Sequence, residues 1–250
     1  MIARSLASLA VPNFRRYFLG QVVSLGGNWA QVVGESWLVL KLTGSGVDVG
    51  VISALQFLPI LLLSASAGVL ADRFDKRRIL LVTQPLMAAP ALALWALYET
   101  GHASLLAVYA LVLVRGTINA IDNPPRNSFL YEIVGPERLV NAVSLNNVVI
   151  HSARITGPAL AAVLIAAFGV GPCFLVNALS FGASFVALWR MDVAQLRPSR
   201  RVARARGQVR DALREVRRRA DLRTPLAMMG VIGLFALNYQ ALLPLLASFE

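Results

Sequence analysis

Gly68-Val69-Leu70-Ala71-Asp72-Arg73-Phe74-Asp75-Lys76-Arg77-Arg78 is a charged stretch set between two long apolar runs. The run before it, 47–71, is almost free of charge and long enough to cross a bilayer; the run after it, from Ile79 to Tyr98, is the same. Six of the seven residues from Asp72 to Arg78 are charged. Such a segment does not follow either run into hydrocarbon, so it forms a tight turn on one membrane face. Its Arg and Lys outnumber its Asp, which assigns the turn to the cytoplasmic face.

Composition points the same way. Of 250 residues, 57% are hydrophobic and 15% charged, and the mean hydropathy is +0.64, a membrane composition rather than a soluble one. The net charge of +11 does not imply a nucleic-acid partner, because the basic residues flank apolar runs, as membrane orientation requires. The single cysteine, Cys173, excludes an intrachain disulfide and a cysteine-cluster metal site. No cofactor and no metal are expected. Residues 1–16 lack the long apolar region of a secretory signal and read as a retained cytoplasmic lead-in.

Working outward, the first span is predicted over Tyr17 to Leu40, about 36 Å at 1.5 Å per residue. Gln21, Ser24, Asn28, Gln31 and Glu35 fall on one helical face, a stripe that lipid disfavours and that should turn toward a cavity or another helix. Gly20, Gly27 and Gly34 run beside it and permit a close helix approach. Thr43 to Gly46 makes an outer turn. A fourth span, Leu105 to Ile121, carries Arg115, Asn119 and Asp122 at i, i+4, i+7. The next inner loop runs over 122–139, where Pro124 and Pro125 are expected to end the helix. The fifth span, from about Val143 to Phe168, places Asn147, His151 and Arg154 on one face. The sixth, Cys173 to Trp189, places Asn177, Ser180 and Ser184 on one face.

Residues 191–225 crowd arginines into a segment too polar for lipid, read as a basic cytoplasmic loop. Within it Val209, Leu213, Val216 and Ala220 repeat at helical spacing. That half either lies on the inner leaflet with its arginines toward anionic headgroups or is a solvated connector. Leu226 to Phe249 is a seventh span. The predicted layout is all-α and integral to the membrane: a six-helix bundle over 1–190, the loop over 191–225, and a seventh transmembrane helix over 226–250. Residues 1–16, 72–78, 122–139 and 191–225 lie inside, with the N-terminus cytoplasmic; the weakly charged turns lie outside.

Gly68-x-Leu70-Ala71-Asp72-Arg73-x-x-Lys76-Arg77 resembles the signature loop between helices 2 and 3 of the major facilitator superfamily of secondary transporters, with Asp75 where that family usually has Gly. Arg115-Gly116-x-x-Asn119-Ala120 is similar to its arginine-centred helix 4 motif. Gly157-Pro158 followed by small residues resembles the helix 5 signature of its antiporter branches, with Ala161 and Ala162 in place of a glycine pair. Taken with Asn13-Phe14-Arg15-Arg16, Trp37 through Ser45, Asn119 through Arg126 and Ala153 through Pro158, the chain looks like the enterobactin-exporter branch. The resemblance implies a two-bundle transporter whose second bundle follows this chain, exporting a small molecule, siderophore-like or drug, driven by a proton gradient at the cell inner membrane.

The same resemblance makes Gly68, Asp72, Arg73 and Arg77 a conformational latch, with Asp72 facing a helix N-terminus of the missing bundle; the alternative is that the basic residues only anchor the loop to anionic lipid. Asn28, Gln31, Glu35, Arg115, Asn119, His151 and Arg154 are candidates for the substrate and proton pathway, because ionisable groups in hydrocarbon are functional candidates by default. Each has a plainer reading. Glu35 reaches outer water, Arg115 pairs with Asn119 or a carbonyl, and His151 is neutral and hydrogen-bonded. Arg154, always charged, must find an anion or water. Gly157 and Pro158 complete the set. The sequence also leaves open a receptor or structural membrane protein, or a membrane enzyme. The enzyme reading lacks a His, Asp, Glu or Cys cluster, an H-E-x-x-H or a G-x-S-x-G.

Overall fold

The computed structural model describes residues 6–197 and, beyond them, Arg218, Arg219, Asp221, Arg223, Thr224 and Met228. Six long helices account for the first unit, which ends at Arg201. They are α1 (Pro12–Thr43), α2 (Gly46–Arg73), α3 (Lys76–Glu99), α4 (Leu105–Val134), α5 (Leu139–Phe168) and α6 (Gly171–Trp189). In the second unit, 202–250, Arg219 and Asp221 form an exposed ion pair at 2.8 Å. The amphipathic repeat at Val209 to Ala220 and the seventh span from Leu226 lie outside the described residues.

Local chemistry sets the helix ends. Pro12 opens α1, where a missing N–H costs nothing. Gly44 closes it at φ 63°, a left-handed turn that favours glycine. Ser45, Asp75 and Ser104 cap α2, α3 and α4, each side chain accepting from the backbone N–H three residues on. Asp75 therefore has a local role at the position where the resemblance expects Gly: its backbone is extended, and its carboxylate starts α3.

Two sequence expectations change. Pro124 and Pro125 do not end α4, which continues to Val134. Residues 122–134 are helix, and the link to α5 is only Gly135 and the short 3-10 turn Pro136–Arg138. A mid-helix proline removes a hydrogen bond, but helix bundles in membranes tolerate it when neighbours compensate. Here the Asp122–Arg126 ion pair straddles both prolines, and the Ser128 hydroxyl lies 2.9 Å and 3.2 Å from the Pro124 and Pro125 carbonyl oxygens. Consequently α5 begins at Leu139, one turn before Val143.

The second change concerns α1. Among the described residues five helices, α2 to α6, are long and apolar enough to cross a membrane by length and composition. At 32 residues α1 is long enough, but its polar stripe lowers its hydropathy. It nevertheless runs the full length of the bundle. Phe14 and Tyr17 pack with Phe129, Leu188 and Met191 in an apolar cluster at one end, and Leu38 and Val39 pack with Val49, Leu94 and Phe174 in another at the opposite end.

The basic segments converge on a single end. The Ser8 N–H donates to Asn141 Oδ1, Asn13 exchanges two hydrogen bonds with the Asp192 backbone, and Arg77 reaches the last carbonyls of α6. At the other end the Tyr109 hydroxyl donates to Asp48.

The main packed pairs are α1 with α5 and α6, α3 with α4 and α6, and α2 with α4; α1 also touches α2 and α4. This pattern maps onto itself when α1, α2 and α3 are exchanged with α4, α5 and α6. The two three-helix segments run in opposite senses, as in an inverted repeat.

Candidate functional site

In α1 the polar stripe is buried. Gln31 and Glu35 are 0% and 1% exposed. It is buried because the glycines beside it bring α6 against α1. A Cβ on Gly27 would lie 2.7 Å from the Ser180 hydroxyl, and one on Gly34 would lie 3.0 Å from Cys173 Cβ. Gly116 does the same between α4 and α2, where an added Cβ would stand 2.7 Å from the Gln56 carbonyl oxygen. Small residues at such seams let backbones approach within lipid.

That closeness creates a polar seam across three helices. Arg115 Nη2 of α4 donates to Glu35 Oε2 of α1 at 2.7 Å, and Nη1 donates to Asn28 Oδ1 at 3.1 Å. Gln31 Nε2 donates to Glu35 Oε1 at 2.7 Å, and the Asn177 amide of α6 donates to Gln31 Oε1. The Ser180 hydroxyl completes the chain at Asn177. Both charged side chains are nearly inaccessible, at 3% and 2%, and a pair so desolvated persists only with its remaining valences satisfied. Glu35 meets that condition; Arg115 keeps one buried nitrogen, Nε, without a hydrogen-bond partner.

A second cluster lies nearer the basic end. Asp122 of α4 is 2% exposed. Its Oδ2 accepts from Arg126 Nε at 2.6 Å, and its Oδ1 from the Thr83 hydroxyl and, at 3.1 Å, from Gln84 Nε2 of α3. Arg126 Nη1 also donates to Gln21 Oε1 of α1 at 2.8 Å, and Gln21 Nε2 donates to the Tyr17 hydroxyl. Sequence reasoning quoted Asp122 and Arg126 but placed them in a loop. The readable signal was their i, i+4 spacing, obscured by the intervening prolines.

Of the pathway candidates, Asn28, Gln31, Glu35 and Arg115 meet in the first seam. Glu35 does not reach outer water; it is sealed against Arg115. Nor does Arg115 pair with Asn119, which is half-buried one turn away. His151 is exposed on α5. Arg154 lies over the Trp29 ring, 5.5 Å from its centroid, with Nε buried and without a hydrogen-bond partner. Gly157 presses on Trp29 and on the Gly26 carbonyl, an α5 to α1 contact with no room for a Cβ, and Pro158 follows half-buried.

The latch candidates divide. Gly68 has open space around it, and Asp72 and Arg73 are exposed. Arg77 donates from Nε and Nη2 to the Leu188 and Trp189 carbonyls, 2.8 Å each, placing a cation at the negative end of α6. Beside it Lys76 is buried and pairs with Glu132 at 2.6 Å, a link between α3 and α4 that the sequence reading missed. Among the described residues no group of three His, Cys, Asp or Glu could hold a metal ion.

This arrangement, ionisable pairs held inside an apolar six-helix bundle, agrees with comparison to known proteins. The family described as transmembrane secretion effector matches residues 3–250. A staphyloferrin A transporter of Staphylococcus aureus is 30% identical over 168 residues, 66% of this chain and 42% of that protein. A multidrug efflux pump, Tap, of Mycobacterium tuberculosis is 25% identical over 222 residues, 85% of this chain and 52% of that protein. The chain spans about half the length, or less, of these curated relatives. No solved structure matches it. With the family match covering nearly all of its residues, the chain belongs to the transmembrane secretion effectors, a family of major facilitator superfamily transporters.

Proposed function

We propose that this chain is the first bundle of a secondary active exporter that moves a small molecule out across the cytoplasmic membrane in exchange for protons. The observation that carries this reading is the Glu35–Arg115 pair, buried with Asn28, Gln31 and Asn177 where α1, α4 and α6 meet. Ionisable groups are expensive in hydrocarbon and mark ion or substrate paths when they face a bundle interior. In this reading the end that gathers the basic segments is cytoplasmic, including the N-terminus. Residues 191–225 are the inner loop, its second half resting on anionic lipid, 226–250 begin a second six-helix bundle, and Asp72 and Arg73, exposed here, meet that bundle as a latch.

Arg115 is neutralised by Glu35, so in this reading the preference for ligand charge rests on Arg154. Its guanidinium, stacked on Trp29, has an unused buried donor, which favours an anionic ligand over a lipophilic cation. The named relatives include a siderophore transporter and a multidrug pump, and the anionic, siderophore-like class suits Arg154 better.

The test is transport by the full-length protein in proteoliposomes with an imposed proton gradient, comparing staphyloferrin A, a siderophore whose carboxylates are ionised at neutral pH, with ethidium. Staphyloferrin A transport that falls tenfold or more in Arg154→Gln is expected. Preferential ethidium transport, unchanged by that substitution, would refute the anionic preference. Absence of any gradient-driven transport of either compound would refute proton-coupled export.

A further inference from the structure

The α1–α4 contact holds two buried carboxylates, and their partners differ in what they allow a proton to do. Around Glu35 every neighbour donates. Arg115 Nη2 fills one oxygen and Gln31 Nε2 the other. Turning the Gln31 amide to offer its oxygen would set its NH2 against the Asn177 NH2, which now donates to Gln31 Oε1. Asn177 would have to turn in response, its NH2 then donating to Ser180 Oγ while the Ser180 hydroxyl keeps the Asn177 carbonyl at 2.7 Å, so two amides must reverse together before Glu35 gains an acceptor. In the arrangement observed, a proton on Glu35 faces donors only, and an unmade buried hydrogen bond is costly.

Around Asp122 both neutral partners can reverse. The Thr83 hydroxyl, which donates to Oδ1, also stands 3.1 Å from the Leu80 carbonyl oxygen. If the hydroxyl turns its proton to Leu80, Thr83 Oγ1 becomes an acceptor for a protonated Oδ1. Gln84 offers a second acceptor: its Oε1 is buried with no hydrogen-bond partner while its Nε2 faces Asp122. Flipping that amide would satisfy an atom that is otherwise orphaned. The same side chains thus accommodate the ionised and the neutral acid without any helix moving.

We infer that Asp122 is the acid that exchanges the proton, and that Glu35 is the fixed counter-ion of Arg115; the inference deepens the proton-coupled reading and rests on it for its role in transport. The groups facing Asp122 are Arg126 on its own helix, Thr83 and Gln84 of α3, and, through Arg126, Gln21 and Tyr17 of α1. Among the described residues no Asp, Glu, Lys or Arg of α2, α5 or α6 hydrogen-bonds or ion-pairs with it. Arg126 Nε donates to Asp122 Oδ2 at 2.6 Å. Uptake therefore goes with withdrawal of Arg126, whose side chain is 15% exposed and keeps Gln21 Oε1 as acceptor. A hydronium ion then gives its proton to Oδ1, the carboxylate becomes neutral, and one water is released; the return step reverses this. Neutralising the acid thus removes the charge that holds Arg126 beside Asp122, while Thr83 and Gln84 keep the acid bonded to α3 and Gln21 keeps Arg126 on α1.

The experiment is infrared difference spectroscopy of the full-length protein in lipid while pH is stepped, following the carbonyl stretch of a protonated carboxylic acid. A titrating band is expected in the parent and in Glu35→Gln. It should disappear in Asp122→Asn and return at a shifted frequency in Asp122→Glu, which separates loss of the proton from loss of the fold. A band abolished by Glu35→Gln and kept in Asp122→Asn would overturn the inference, as would a parent with no titrating carboxyl. Staphyloferrin A transport driven by a pH gradient, measured on the same preparations, keeps the two readings apart. A titrating Asp122 without gradient-driven transport defeats the exporter reading alone. Gradient-driven transport that survives Asp122→Asn defeats this inference alone.

Discussion

Removing one member of the Glu35–Arg115 pair is the most severe electrostatic change available in the first seam. The partners lie 2.7 Å apart with 3% and 2% of their side chains exposed. At an effective dielectric of about 20 the direct attraction at that separation is about 6 kcal/mol. Desolvation of two ions offsets most of it, so the net worth of the pair is small. Breaking it is not: an uncompensated buried charge costs about 3–5 kcal/mol. In Glu35→Gln, Arg115 would retain Asn28 as its charge-free partner, with Nε still unsatisfied. In Arg115→Gln, Glu35 would keep only the Gln31 amide. Each single variant should therefore lose about 3–5 kcal/mol, whereas the double variant, carrying two amides that can pair, should lose about 1–2 kcal/mol. The assay is reversible unfolding of the full-length protein from mixed micelles by denaturing detergent, analysed as a double-mutant cycle. A coupling energy of at least about 2 kcal/mol is expected. Single variants costing under about 1 kcal/mol, or a double variant equal to the sum of its parts, would refute the claim that the pair is dry and closed.

Three further outcomes follow from geometry. Gly27→Ala should destabilise by about 1–3 kcal/mol, because its Cβ would meet Asn177 Cα at 3.1 Å as well as Ser180, whereas Gly26→Ala has open space and should be neutral or up to about 1 kcal/mol stabilising; the same unfolding assay compares them. Asp75→Ala should cost about 0.5–2 kcal/mol by removing the α3 cap and Asp75→Gly only a few tenths, and equal losses would remove the cap as the reason for Asp75. Because Cys173 is buried, single cysteines can be labelled against a low background: residue 78 should react from the cytoplasm and residue 102 from outside, and the opposite result would invert the orientation.

The class of fold was legible because its signals are long-range averages. Apolar runs and basic links do not depend on which side chains meet. The glycines at positions 20, 27 and 34 were equally readable, since a spacing of seven keeps them on one helix face. What failed depended on three-dimensional pairing. Glu35 lies six residues from Lys41, which suggested access to water, but it turns inward and reaches Arg115, 80 residues away in sequence. Pro124 and Pro125 were read by their local preference, which the Asp122–Arg126 ion pair and the surrounding helices override. Lys76 looked like one more basic residue of an inner loop; its burial against Glu132 is set by where α4 continues, and the proline reading had already ended α4 too early.

The same cause explains why α1 is both the least apolar helix and the most connected. Between helices in lipid the hydrophobic effect supplies little force, because the tails are as apolar as the side chains they would replace; association rests on close packing and interhelical hydrogen bonds. A helix that packs against α5 and α6 and touches α2 and α4 needs small residues where backbones meet and polar residues where side chains can be shared. Gly20, Gly27 and Gly34 supply the first, and Gln21, Asn28, Gln31 and Glu35 the second. Those residues are what depress its hydropathy. Its counterpart under exchange of the two three-helix segments is α4, which carries the other half of each seam, Arg115 toward one end and Asp122 with Arg126 toward the other. Seven residues, about 10 Å of helix, separate Arg115 from Asp122, so one contact line between α1 and α4 holds a closed ion pair at one level and a reversible acid at the other. A change in charge at Asp122 therefore acts on the line along which the two halves of the bundle meet.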